Sequence, residues 1–205
     1  MNCIESMKKS GSEKRISDFF ASLEEPRFTV VSPLDVTKIY KYCEINGISF
    51  YYSLCYLAVK ALNSIEEFHY KIQTNGVFTV DELVPSFTDL RKGTTDFYIC
   101  ILPIKKNETM LQYAKRAKDY SQSSTEFMNN AENSLIQEMV YISCLPWIDF
   151  SSVVEAKKTD RNDSIVHLTW GKYVEENGKL ILHCEIQVNH RLVDGLHVGL
   201  FFNRF

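Results

Sequence analysis

Six apolar residues, Leu54, Leu57, Ala58, Ala61, Leu62 and Ile65, recur at helical spacing within residues 49–68 and make a stripe too broad for a helix lying on a surface. The helix this predicts is largely buried, so its neighbours have to enclose it. Before it, residues 28–34 read as a strand that Pro33 confines to an edge or a strand end. Asp35 then caps a helix that keeps Val36, Ile39, Tyr40 and Cys43 on one face until Asn46-Gly47 ends it. Earlier still, Ile16, Phe19, Phe20 and Leu23 recur at helical spacing up to Glu24-Glu25-Pro26, and residues 1–15 read as a flexible tail.

After the buried helix, Ile72-Gln73-Thr74 and Val77-Phe78-Thr79 flank Asn75-Gly76, a hairpin signal because both turn positions favour positive φ. Strands are predicted over 86–90, 97–102 and 140–145, and helices over 110–120 and 135–139, with no pattern across 121–134. Residues 165–174 pair with 179–188 across Glu175-Glu176-Asn177-Gly178, the stretch 155–164 reads as a charged surface loop, and Leu196, Val198, Leu200 and Phe201 suggest a terminal helix. Helices and strands interleave early and hairpins dominate late. The fold class expected is α/β, an α+β two-layer sandwich with a mixed β-sheet covered by helices, in one domain over 16–205.

Composition excludes several functions. The net charge is −3 over 205 residues, which gives no basic footprint for nucleic acid, and no basic amphipathic stretch points to a membrane surface. No apolar run approaches the roughly 20 residues of a membrane span. Six cysteines are scattered without metal-ligand spacing, and the N-terminal residues show no apolar signal region, so a cytoplasmic protein with reduced thiols is expected. The excess is aromatic, with 13 Phe, 11 Tyr and 2 Trp, residues that line apolar small-molecule pockets as well as cores.

The densest cluster of reactive residue types is Gln187-Val188-Asn189-His190-Arg191-Leu192-Val193-Asp194-Gly195. A histidine delivered at a strand end suits a general base, because its pKa lies near neutrality. Spacing alone favours the plainer reading of a surface histidine beside an aspartate that caps a helix. Metal binding by His183, His190 and His197 is not expected, since these positions span strand, turn and helix and do not converge by period. Cys144 alternates to the opposite strand face from Ser143 and reads as a core thiol rather than a nucleophile.

His190, Asp194-Gly195 and the continuation Leu196-His197-Val198-Gly199 resemble the His-x-x-x-Asp-Gly signature of the trimeric, type A chloramphenicol acetyltransferases, a motif shared with dihydrolipoamide acyltransferases and peptide-synthetase condensation domains. Two more stretches are similar to that family: residues 142–150, reading Ile-Ser-Cys-Leu-Pro-Trp-Ile-Asp-Phe, and Thr169-Trp170-Gly171-Lys172-Tyr173. The spacing from Ser143 to His190 agrees with the family's without a gap. The resemblance runs from about Ile16 onward and implies acetyl transfer from acetyl-CoA to a hydroxyl of a small-molecule alcohol, with the 3-hydroxyl of chloramphenicol the leading acceptor. It implies His190 as the base, Ser143 as donor to the oxyanion, Thr169 acting there through a bound water, and Asp194 in a supporting, structural role. It further implies no acyl-enzyme and no metal, Tyr173, Lys172 and Tyr51 on the CoA side, Phe97 and Phe20 on the acceptor side, and a homotrimer with His190 of one subunit facing Ser143 and Thr169 of the next.

Several positions depart from the family pattern. The arginine expected to pair with the motif aspartate falls on Glu13, with Lys14 and Arg15 as the neighbouring substitutes, and Gly11-Ser12 stand where a tryptophan is expected. Ser49 replaces the lysine that meets the CoA 3′-phosphate, and Asn189 replaces the first residue of a frequent His-His pair. These departures leave base and oxyanion donor in place while eroding substrate-side contacts. The alternatives they keep open are a catalytically weak small-molecule-binding protein of the same fold and an acyltransferase for a different alcohol.

Overall fold

The structure is a computed structural model that describes residues 18–74, 76–90, 93–123, 127–128, 135–156 and 160–205. The tail, Ile16 and the candidate partners Glu13, Lys14 and Arg15 lie outside the described residues, as does Asn75. After a helical turn over 18–21 come strand β1 (Arg27–Asp35), helices α1 (Thr37–Asn46) and α2 (Phe50–Asn63), a 3-10 turn (Glu66–His69) and a small hairpin of β2 (Tyr70–Gln73) and β3 (Gly76–Thr79). The chain continues through β4 (Val84–Leu90), β5 (Phe97–Ile101), α3 (Met110–Ser123), β6 (Met139–Cys144), β7 (Val166–Trp170), β8 (Val174–Glu176), β9 (Lys179–Asn189) and α4 (Gly195–Arg204).

The main sheet has seven strands in the order β1-β9-β7-β6-β4-β5, with β8 pairing the first residues of β9. It is mixed: β6 runs parallel to both β4 and β7, and the other pairings are antiparallel. Strand alternation sorts its two faces. Ile142, Leu168, Trp170, Cys184 and Ile186 point to one side and pack with the helices in the main hydrophobic core. The intervening residues Ser143, His167, Thr169, Glu185 and Asn189 point to the other side, and it is this polar face that carries the site.

The broad stripe of α2 lies in the core as expected: Leu54, Cys55, Ala58, Val59 and Leu62 are essentially inaccessible. Each buried leucine contributes roughly 2 kcal/mol. The Ser49 hydroxyl caps the helix by accepting from the Tyr52 backbone N at 3.4 Å. Regular helix stops at Asn63, short of position 68, because Ser64 and Ile65 close a tighter turn. Gly47, with φ 61°, ends α1 where Asn46-Gly47 predicted; at the other end the N-cap is Val36, one residue later than expected, and Asp35 stands just outside it, accepting from Thr37 N at 3.1 Å.

Four expectations need correction. Residues 135–138 form one 3-10 turn and Met139 already belongs to β6, since five residues are too few for helical and strand periods to be told apart. Gln73 pairs with Gly76, so the small hairpin turns one residue earlier than the Asn75-Gly76 reading. The strand predicted over 165–174 breaks at Gly171: Trp170 pairs with Cys184 but Val174 pairs with Ile181, so one extra residue is accommodated in 171–173. Finally, the 155–164 stretch is not simply a solvated loop, because Glu155 and Asp163 turn inward onto the polar sheet face.

Candidate active site

Parallel pairing of β6 and β7 sets Ser143 directly beside Thr169, and antiparallel pairing sets Glu185 on the far side of Thr169. Ser143 stands where two cavities meet, since it lines both, as do Thr88 and Phe97. The larger cavity, about 950 Å³, lies over the polar sheet face and includes Tyr141, Glu155, His167 and Thr169 in its walls. The smaller, about 500 Å³, is walled mainly by aromatic and apolar groups, among them Phe50, Tyr51, Trp147, Trp170 and Tyr173, with Lys172 its one basic residue among the described lining. The sequence-predicted residues Tyr51, Lys172 and Tyr173 are thus brought together around one cavity. Tyr51 donates its hydroxyl to the Thr88 carbonyl at 2.7 Å, and burial holds its phenol well above the ordinary range, so it serves as a neutral wall. Tyr173 is held edge-on by Tyr40 and Phe50.

Thr169 is 2% exposed, and its hydroxyl donates to Glu155. The other oxygen of Glu155 meets Nδ1 of His167 at 3.1 Å. Burial raises the Glu155 carboxyl, but the hydrogen bonds from His167 and Thr169 outweigh it and leave the group below the ordinary carboxylate range. Behind this pair, Asp163 is salt-bridged to the buried Arg27. Neither Glu155 nor His167 was singled out from the sequence. The available signal was the period of two that puts His167 on the same strand face as Thr169; nothing local marked Glu155.

His190 follows the end of β9. Its backbone N donates to the Pro26 carbonyl at 2.8 Å, and its ring is stacked on Phe20 with centroids 3.8 Å apart and flanked by Phe28 at 4.4 Å. Nδ1 is buried with no hydrogen-bond partner among the described residues. Phe20, expected on the acceptor side, is therefore the stacking partner of the histidine. Within one chain His190 and Ser143 do not meet. The ladder partner of Thr169 is Glu185, five residues before His190, and at roughly 3.3 Å per residue that places the histidine about 17 Å along the sheet.

Asp194 is the N-cap of α4. Its carboxylate accepts from Leu196 N at 2.8 Å and His197 N at 3.4 Å, while Nδ1 of His197 accepts from the Asp194 backbone at 3.1 Å. The opposite ring nitrogen of His197 reaches Glu67 at 3.3 Å, which ties the helix start to the 3-10 turn. Replacement of Asp194 by alanine is expected to cost about 1 kcal/mol of stability, and Asp194→Asn a good deal less, measured as shifts in the urea midpoint. His183 is bonded to Asp149 at 2.8 Å, so the three histidines spaced by seven stand at three separate places. Cys144 packs against the core, and burial pushes its thiol up to about 12.

A family model described as chloramphenicol acetyltransferase matches residues 9–205. The chain belongs to the chloramphenicol acetyltransferase family. It is 30% identical over 183 residues to chloramphenicol acetyltransferase 3 of Escherichia coli, covering 86% of this chain and 83% of that one. With the chloramphenicol acetyltransferase of Bacillus pumilus it shares 31% over 186 residues, 89% of this chain and 82% of the relative. A solved chloramphenicol acetyltransferase superposes with a TM-score of 0.87 at 21% identity, over 100% of this chain and 97% of the other. The fold extends to a dihydrolipoamide acetyltransferase of Azotobacter vinelandii, with a TM-score of 0.62 at 15% identity over 100% and 89% of the two chains. By family and fold the protein is an acyltransferase. The mixed sheet with covering helices expected from the sequence is the fold of chloramphenicol acetyltransferases. No described helix is long and apolar enough to cross a membrane.

Proposed function

We propose that the protein moves the acetyl group of acetyl-CoA to a hydroxyl of a small-molecule alcohol, with the 3-hydroxyl of chloramphenicol the leading acceptor, by direct transfer between two bound substrates. The observation that carries this reading is the position of Ser143 at the junction of two cavities. A thioester arriving through the smaller cavity, past Tyr51, Lys172 and Tyr173, meets an alcohol seated in the larger one at the Ser143 hydroxyl. The aromatic walls suit the apolar arm of a pantetheine thioester, and Lys172 suits its phosphates.

In this mechanism the imidazole of His190 takes the proton of the acceptor hydroxyl, and the oxygen attacks the thioester carbonyl carbon. The charge that forms on the carbonyl oxygen is met by the Ser143 hydroxyl and by a water that donates one hydrogen to it and the other to Thr169, whose own hydrogen is spent on Glu155. Collapse breaks the carbon–sulfur bond, and the imidazolium returns the proton to the departing thiolate. No side chain is acylated. Cys144, facing the core with a thiol that is neutral at physiological pH, takes no part.

Because one chain holds His190 and Ser143 about 17 Å apart along its sheet, the base has to come from another copy. Closed cyclic symmetry supplies this with head-to-tail contacts, and the arrangement proposed is a homotrimer with shared sites. The test is a thiol-release assay with acetyl-CoA and chloramphenicol. Turnover well above a His190→Ala control is expected. A rate equal to that control removes chloramphenicol as the acceptor, and activity on another member of a panel of hydroxylated compounds then identifies the alcohol.

A further inference from the structure

We propose that the larger cavity is built for an alcohol that also carries a cationic, donor-rich group such as a protonated amine, with Glu155 the residue that selects it. The proposal rests on the acyl-transfer reading only for the statement that the acceptor occupies this cavity, and it ranks chloramphenicol, which is uncharged, below an amino alcohol of similar size. The charged residues in its described lining are Glu155, Asp160 and Asp163, and among the described lining residues there is no lysine or arginine. Asp163 is already compensated by Arg27. Glu155 feels the same arginine at longer range but makes no ion pair with it: its direct partners are the Thr169 hydroxyl and the His167 ring.

His167 carries the argument further. In the neutral ring the hydrogen on Nδ1 lies toward Glu155, which leaves Nε2 a bare lone pair. The residue is 9% exposed, and Nε2 has no hydrogen-bond partner among the described residues, its near neighbour being another acceptor, Asp163, at 3.9 Å. Around Glu155 and His167 the polar end of the cavity thus presents more acceptors than donors. Phe97, Ile99 and Met128 make its opposite, apolar side. An uncharged acceptor seated here strips water from the Glu155 carboxylate and returns no more than a neutral O–H hydrogen bond, whereas an ammonium replaces that water with an ion pair and offers its N–H to the carboxylate or to the Nε2 lone pair. Selectivity arises as much from the penalty on the neutral ligand as from attraction to the charged one.

The test compares two arylpropanediols of one skeleton, one with a dimethylamino group, which is cationic at pH 7.5 and forms no stable amide, the other with an isopropyl group of the same shape. Binding of each to the full-length protein is measured by calorimetry without acetyl-CoA. The amine is expected to bind about tenfold more tightly, and added salt to weaken it alone. Glu155→Gln is expected to remove most of the preference and Glu155→Leu to reverse it, with thermal melts confirming that both variants fold. Equal or tighter binding of the isopropyl compound by the wild type, or no binding of the amine, overturns the proposal without need of a variant, and a preference that survives both substitutions removes Glu155 as its cause. Thiol release with the same pair separates this from the catalytic reading. A binding preference without acetyl transfer to either compound leaves the cavity assignment standing and rejects transfer, while transfer without preference for the amine rejects the cavity assignment alone.

Discussion

Alanine in place of His190 is expected to lower kcat roughly 10⁴-fold, with a modest change in KM, because the base proposed here acts on a proton that moves only in the transition state. Loss of the ring also empties the space between Phe20 and Phe28, so the melting temperature falls by a few degrees, and a melt on the same sample separates that effect from the kinetic one. Ser143→Ala is expected to cost about 10²-fold through loss of one oxyanion donor. The two variants together make the stronger experiment. If each site combines His190 of one subunit with Ser143 of the next, co-expression of the two inactive chains regenerates wild-type sites in every mixed trimer. Random assembly at equal amounts restores about a quarter of wild-type activity from two preparations that have almost none. Sites contained within one chain restore nothing. An unmixed sum of the two residual rates therefore rejects the shared site, whatever the acceptor is.

The elements read correctly from the sequence are those whose pattern is long or whose ends are chemically marked. The α2 stripe spans more than three turns, Gly47 supplies the left-handed residue that ends α1, and Asp194 marks the start of α4. Pro33 confined β1 to an edge or a strand end, and of the two it is the edge, since β1 ends the sheet order. The failures are local patterns overruled by tertiary contacts. Residues 135–139 are too short to show a period, and the strand after 165 looks continuous until Gly171 meets a neighbouring segment. Of the candidate site, each predicted residue has a clear place, but the separation of His190 and Ser143 in one chain was expected only through the family resemblance, because a motif records residue types and not the ladder that spaces them. Glu155 was hidden for a different reason. It begins the stretch Glu155-Ala156-Lys157-Lys158-Thr159-Asp160-Arg161-Asn162-Asp163-Ser164, whose composition is that of a solvated loop, and only the hydrogen bonds to Thr169 and His167 reveal that the side chain of its first residue packs on the polar face of the sheet.

Gly171→Ala is expected to be the most damaging single methyl group on the smaller cavity. A Cβ built at Gly171 lies 2.6 Å from the backbone oxygen of Ile148 and 3.1 Å from the Phe150 ring, closer than carbon and oxygen tolerate. The obstacle cannot simply rotate aside. The Ile148 oxygen is fixed as the acceptor of Lys172 N at 2.8 Å, and the Gly171 N–H donates to His183 O at 3.1 Å, so relief of the clash stretches bonds on both sides of the glycine. Overpacking of this kind costs about 1–3 kcal/mol, and weakening one backbone hydrogen bond adds about 1 kcal/mol. A loss near 3 kcal/mol in a chain of this size lowers the melting temperature by roughly 6–12 °C, read at matched protein concentration so that assembly does not confound the comparison. The same displacement moves Lys172 and Tyr173, which line the cavity assigned to the thioester. KM for acetyl-CoA should therefore rise while that for the alcohol holds, since the cavity proposed for the acceptor has none of Gly171, Lys172 and Tyr173 in its described lining. A variant that melts normally, or one whose two KM values rise together, contradicts this account of why a glycine interrupts the strand.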